Sequence, residues 1–147
     1  MKIADKLSHL TFLFHYPVKI GEVNLENVNS MRQFHLLRIL KETGALDVKT
    51  IAKRLGQAQN TSSELIWRMV EKGLLSSERD TNDRRRTVVK ITAEGEKELE
   101  KMEIELDNAF EKFCKIYLNE KEIKEFYECS EKLFKLSKKI IKKLEAK

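Results

Sequence analysis

Six stretches of the chain repeat apolar residues at steps of three and four, the spacing of one helix face, and two short stretches between them read as strands. Ile3, Leu7, Leu10 and Phe14, with Leu13 beside them, predict a helix over 3–15 that Pro17 ends. Residues 18–30 scatter apolar residues among Asn, Glu and Gly and read as a connection. Ser30 is then an N-cap candidate for a helix from Met31, with Phe34, Leu37 and Leu40 inward, Leu36 and Ile39 flanking, and Gly44 as its stop. Asp47 caps the next helix, which turns Val48, Ile51, Ala52 and Leu55 inward, and Gly56 permits a sharp turn. A further helix runs from about Gln59 to Lys72, with Ser62, Leu65, Ile66 and Met69 on its core face and Gly73 after it.

Leu74–Arg79 and Thr87–Ile91 flank the polar tip Asp-Thr-Asn-Asp-Arg-Arg-Arg, which is the pattern of a β-hairpin with a long loop. Thr92 caps a long helix to about Leu118, with Leu99, Met102, Leu106, Ala109, Phe113 and Ile116 in step. Asn119 and Glu122 form a capping box for a last helix whose stripe is Phe126, Ser130, Leu133, Ser137, Ile140 and Leu144. The fold class is therefore mainly α with one small β-hairpin (α+β). Helix, sharp turn, helix and hairpin over residues 47–92 make a winged helix-turn-helix. The two long C-terminal helices carry apolar seven-residue repeats, which suit packing along their length. A lone helical hairpin would leave one apolar face in water, so the pattern favours a homodimer.

Composition narrows the class. A chain of 147 residues suits a single domain over 1–147; 41% of it is apolar, 36% is charged, and one Pro and five Gly leave few helix breakers. No apolar run reaches membrane length, and Asp5 and His9 interrupt the first apolar patch, so neither a membrane span nor a signal peptide is read and a cytoplasmic protein is expected. The net charge of +5 is unevenly placed. Residues 1–31 are neutral, residues 92–147 sum to −1, and residues 32–91 carry 13 basic against 7 acidic side chains. A basic block between neutral ones suits a polyanion partner, although a solvated surface would look the same on charge alone.

Two constellations in that block point to double-stranded DNA. A helix entering the major groove presents short polar residues near its N-terminus. Here Gln59, Asn60, Thr61, Ser62 and Ser63 follow one another, with Glu64 and Arg68 further along. Gln and Asn can pair with adenine through two hydrogen bonds, and Ser or Thr with any base. Capping alone needs one such residue, not five. The candidate base-reading set is thus Gln59, Asn60, Thr61, Ser63, Glu64 and Arg68. The candidate wing set is Asp83, Arg84, Arg85 and Arg86, in which three adjacent cations repel one another unless an anion is near, and a narrow minor groove is strongly negative. A solubilising loop is the plainer alternative for the wing.

Residues 33–95 resemble the MarR family of transcription regulators. The resemblance is carried by Gln33, by Ile51–Gly56 (IAKRLG), by Glu71–Leu75 (EKGLL), and by Asp83-Arg84-Arg85 followed by Ile91-Thr92 and Gly95. It implies a homodimer in which segments 1–30 and 96–147 interlace around a DNA-binding part over 31–95. It implies that the helix from Gln59 reads the major groove and that Asp83 braces Arg85, whose guanidinium enters the minor groove. It further implies a repressor that covers a pseudo-palindromic operator and releases it when a small molecule, often an aromatic acid, binds. The chain departs from the family pattern at Gln57-Ala58, where Ala is a poor cap, at Glu64, whose charge opposes phosphate, and at Trp67, expected to pack on the wing or a neighbouring helix, with direct contact to DNA or a ligand as the alternative.

Other chemistry finds little support. Cys114 and Cys129 are expected to be buried, inert thiols; the alternative is a two-cysteine switch across a dimer, which needs close Cα atoms. His9, His15 and His35 form no tight ligand pair, so no metal is expected. No nucleophile–base pair, paired carboxylates or phosphate-binding Gly loop is present, so neither an enzyme nor a cofactor is expected beyond a small-molecule effector. Two other functions stay open: an architectural DNA-binding protein of low sequence specificity, and a winged helix module that binds an acidic protein partner.

Overall fold

The computed structural model describes residues 28–79 and 86–145, and their elements start and stop largely where capping chemistry directs. In chain order they are α1 (Val28–Thr43), β1 (Leu46–Asp47), α2 (Val48–Leu55), α3 (Gln59–Glu71), β2 (Leu75–Arg79), β3 (Thr87–Ile91), α4 (Ala93–Tyr117) and α5 (Glu120–Glu145). The helix expected over 3–15 and the hairpin tip lie outside the described residues. α1 starts at Val28 rather than after Ser30. Neither Gly nor Pro stands between residues 26 and 31, and Ser is tolerated inside a helix, so nothing local stops the earlier start.

α2 is capped by the Asp47 carboxylate, which accepts a hydrogen bond from the Thr50 amide at 2.8 Å. It ends at Gly56, whose φ of 63° is left-handed, a conformation that glycine adopts without the Cβ clash of other residues. The Gln57 amide then closes onto the Ala52 carbonyl at 3.0 Å, and this tight turn aims α3 away from α2. At the start of α5, the Asn119 amide donates to Glu122 Oε2 at 2.9 Å and the Glu122 amide to Asn119 Oδ1 at 3.0 Å, the reciprocal box that the sequence predicts.

The sheet has three antiparallel strands in the order β1-β3-β2. Leu75 opposes Ile91 and Arg79 opposes Thr87 across the hairpin. β1 pairs Leu46 with Val89 and Asp47 with Val88. Its two residues are too few for any periodicity to register, so sequence reading passed over it.

α1 is the centre of the core and packs on α2, β3 and α4. Leu36, Leu37 and Leu40 from α1, Ile51 from α2, Leu65 and Met69 from α3, Val89 and Leu99 all meet there almost wholly buried. Each fully buried side chain of this size is worth roughly 1.5–3 kcal/mol. Leu36, expected at the edge of the stripe, is fully enclosed because α1 is covered on more than one side.

The predicted stripe of α4 holds at Leu99, Met102 and Ala109 but not at Ile116, which is 65% exposed, and Cys114 is buried in its place. Its steps average about 3.4 residues against the helical 3.6, so Ile116 ends about 100° round from Leu99. α5 folds onto α4 through aromatic rings, with Phe110 and Phe126 centroids 5.3 Å apart. Farther along, Leu133, Leu136, Ile140 and Ile141 of α5 are exposed.

The hairpin is anchored to α4 by a compact junction. Thr92 Oγ1 donates to the Gly73 carbonyl at 2.7 Å and accepts from the Gly95 amide at 3.0 Å. The Thr92 amide donates to the Leu74 carbonyl at 3.1 Å. A Cβ on Gly95 would overlap that same carbonyl oxygen and crowd Ile91 Cγ1. This accounts physically for Thr and Gly at a separation of three. Gly95→Ala is therefore expected to lower stability by roughly 1–3 kcal/mol despite its gain in helix propensity, as measured by chemical denaturation at fixed protein concentration.

Candidate nucleic-acid interface

α3 is held by one face and presents the other. Ser62, Leu65, Ile66 and Met69 are buried, whereas Gln59, Asn60, Thr61, Ser63, Glu64 and Arg68 are all exposed. These six side chains do not form one surface. With 3.6 residues per turn, Asn60 and Glu64 lie within about 30° of the line opposite the buried face. Gln59 and Ser63 sit on the edge toward α2 and the hairpin, and Thr61 and Arg68 on the other edge. Ser63 Oγ already donates to the Gln59 carbonyl at 2.9 Å, which leaves its lone pairs facing outward. Ala58 supplies no side-chain cap, as its chemistry predicts.

Between α2, the start of α3 and the tip end of β3 runs a groove of about 690 Å³, lined among others by Lys49, Lys53, Gln59, Ser63, Arg86 and Thr87. Lys49 and Lys53 stand one turn apart on α2, both exposed. Like charges at this spacing disfavour the helix by a few tenths of a kcal/mol, so the pair suits an anionic neighbour. Sequence reading missed both lysines because it sought the site on α3 and the tip alone. Their separation of four residues, on the side away from Ile51 and Ala52, was the available signal.

Of the four wing candidates, Asp83, Arg84 and Arg85 lie outside the described residues. Arg86 is described, and it is not part of a free cationic tip. Its guanidinium is bonded to the Asp47 carboxylate, 39 residues back in the chain. Asp47 thus serves α2 as cap and the hairpin as anchor. Its pKa lies below the ordinary carboxylate value, chiefly because of the Thr50 amide bond, with partial burial opposing and the bonds from Arg86 and the Thr50 hydroxyl assisting.

Trp67 departs from expectation. It is 62% exposed, on the same outward side of α3 as Asn60 and Glu64. The side facing the hairpin and α2 is already taken by Val70 and by the edge carrying Ser63, so among the described residues position 67 is turned away from the core. The cysteines differ from each other. Cys114 is buried, which pushes its thiol pKa up, whereas Cys129 is exposed, against the expectation that both would be buried. α5 is covered by α4 only near its start, and Cys129 lies at the margin of that contact. Among the described residues, no three His, Cys, Asp or Glu side chains gather where they could hold a metal ion, and no helix is long and apolar enough to cross a membrane.

Comparison with known proteins agrees with this geometry. Residues 30–87 match the model of the MarR family. The HTH-type transcriptional regulator FarR of Neisseria gonorrhoeae is 28% identical over 99 residues, spanning 67% of each chain. The fold superposes on wild-type apo MarR of E. coli with a TM-score of 0.73 at 16% identity, covering 90% of this chain and 96% of that one. It also superposes on Bordetella bronchiseptica BpsR, whose DNA binding is regulated by 6-hydroxynicotinic acid, with a TM-score of 0.60 at 23% identity, covering 87% and 98%.

The double use of Asp47 can be separated by substitution. Asn caps about as well as Asp but carries no charge for Arg86. Asp47→Ala is therefore expected to lower stability by about 1 kcal/mol or more, and Asp47→Asn by less. Because the folded pKa of Asp47 is depressed, its contribution is present above the unfolded value of 3.8 and is lost as pH falls through the folded one. The stability difference between wild type and Asp47→Asn should accordingly shrink below pH 3.8 in acid-denaturation curves.

Proposed function

We propose that the chain, whose residues 30–87 match the MarR family model, works as a homodimeric transcription repressor in the cytoplasm, covering a pseudo-palindromic operator and releasing it when a small molecule binds. The observation that carries this reading is the division of α3 into a buried apolar face and an exposed polar one, flanked by Lys49 and Lys53. In this arrangement Asn60 pairs with adenine from the line facing the bases, and Gln59 and Ser63 on one edge with Thr61 and Arg68 on the other meet base edges and backbone. Arg84 and Arg85 enter the adjacent minor groove, with Asp83 orienting one of them. Arg86 fixes the tip end of β3 through Asp47.

The exposed Leu133, Leu136, Ile140 and Ile141 of α5 support a dimer. A second copy related by a twofold axis would cover such a face on both chains at once and set two α3 helices about one turn of DNA apart. The response of BpsR to 6-hydroxynicotinic acid supports an effector of the aromatic-acid class here.

Footprinting on the DNA upstream of its own gene tests the proposal. Two protected half-sites about 34–36 Å apart are expected, with an affinity that falls steeply as salt rises. Arg85→Ala should weaken binding to operator and random duplex alike and reduce the salt slope by about 1, whereas Asn60→Ala should change base preference at one position per half-site. An operator-to-random affinity ratio near one would instead favour an architectural protein. Absence of DNA binding even at low salt would favour a protein-interaction module.

A further inference from the structure

Trp67 is the one outward aromatic residue of α3, and the reading above assigns it no task. It is the single tryptophan of the chain and is 62% exposed. With 3.6 residues per turn, Asn60, Glu64, Trp67 and Glu71 fall within about 60° of one another, opposite Ser62, Leu65, Ile66 and Met69. Trp67 follows Asn60 by about 10 Å along the helix, a span of about three base pairs.

The charges around it decide what it faces. Glu64 stands about one turn before Trp67 and Glu71 about one turn after, and both are exposed. A phosphate would be repelled by both carboxylates, so this line of α3 is unsuited to the DNA backbone and suited to the floor of the groove. Arg68 stands on the edge, where a phosphate would be met. On the floor of the major groove the apolar group available to an indole is the 5-methyl of thymine. We propose that Trp67 is a specificity-determining residue whose indole packs on a thymine 5-methyl in each operator half-site. This rests on the DNA-binding reading above and adds a base to it.

The test uses the full chain and a duplex that the chain itself selects from a random pool. Each thymine of that duplex is replaced singly by deoxyuridine, which removes only the methyl, and affinity is read by anisotropy of a labelled strand for wild type and Trp67→Ala. One thymine per half-site is expected at which loss of the methyl weakens wild-type binding about fourfold. At that position the replacement should leave Trp67→Ala binding unchanged. Circular dichroism confirms that the variant is folded, as an exposed position allows. Emission from Trp67, the only indole present, should shift when the duplex saturates the protein.

Tight binding with methyl effects that are equal in the two proteins, or with unaltered indole emission, overturns the assignment of Trp67 and leaves the DNA-binding reading standing. Failure to select or bind any duplex, even at low salt, overturns both.

Discussion

One carboxylate joins the parts of this protein that have to act together. Asp47 ends β1, caps α2 and holds Arg86 at the tip end of β3. Without it the helix-turn-helix and the wing would still be joined by the short β1–β3 ladder and the side chains of the core, but no side chain would link the cap of α2 to the end of β3 nearest the tip. The ion pair is partly exposed and contributes little energy by itself. Its value is geometric, because one oxygen of the carboxylate caps the start of α2 while the other holds Arg86, where β3 emerges from the tip. A shift of α2 is thereby carried to the wing, and the reverse.

The hairpin is tied down again at its other end. Thr92 and Gly95 let β3 pass into α4 while Leu74 comes close enough to accept a hydrogen bond. The two ties differ in kind. That of Asp47 and Arg86 is polar, open to water and sensitive to pH. That of Thr92 and Gly95 is steric and partly buried, and it joins the hairpin to the long helix leading away from the winged domain. Rotation of α4 would therefore displace the foot of the hairpin directly.

What could be read from sequence was local. Asp47, Thr92 and the Asn119–Glu122 box were legible because a cap and its partner lie three residues apart, so their chemistry sits in one short window. The inward set Ser62, Leu65, Ile66 and Met69 was legible for the same reason, as one turn repeats the next. The partner of Arg86 was not legible, since a run of three arginines gives no sign that the last is bonded to a residue 39 positions earlier. β1 was too short to carry a pattern. Trp67 was legible as lying off the inward set of α3, but its expected packing on the wing or a neighbouring helix is not what the structure shows, since the residue is 62% exposed.

The turn between α2 and α3 is the least economical part of the fold. Ala58 gives α3 no side-chain cap, and the buried atoms Gln57 Oε1 and Ser62 Oγ have no hydrogen-bond partner among the described residues. A buried polar atom left unpaired disfavours the fold by about 1–3 kcal/mol, and a missing cap by about 1 kcal/mol. Burial of Leu65, Ile66 and Met69 offsets this and keeps α3 in place. Local rules are broken at the start of the helix whose outward face is proposed to read DNA, and kept at the caps of α2, α4 and α5. That distribution is expected where sequence has been set by what a surface must meet rather than by what the chain needs to fold.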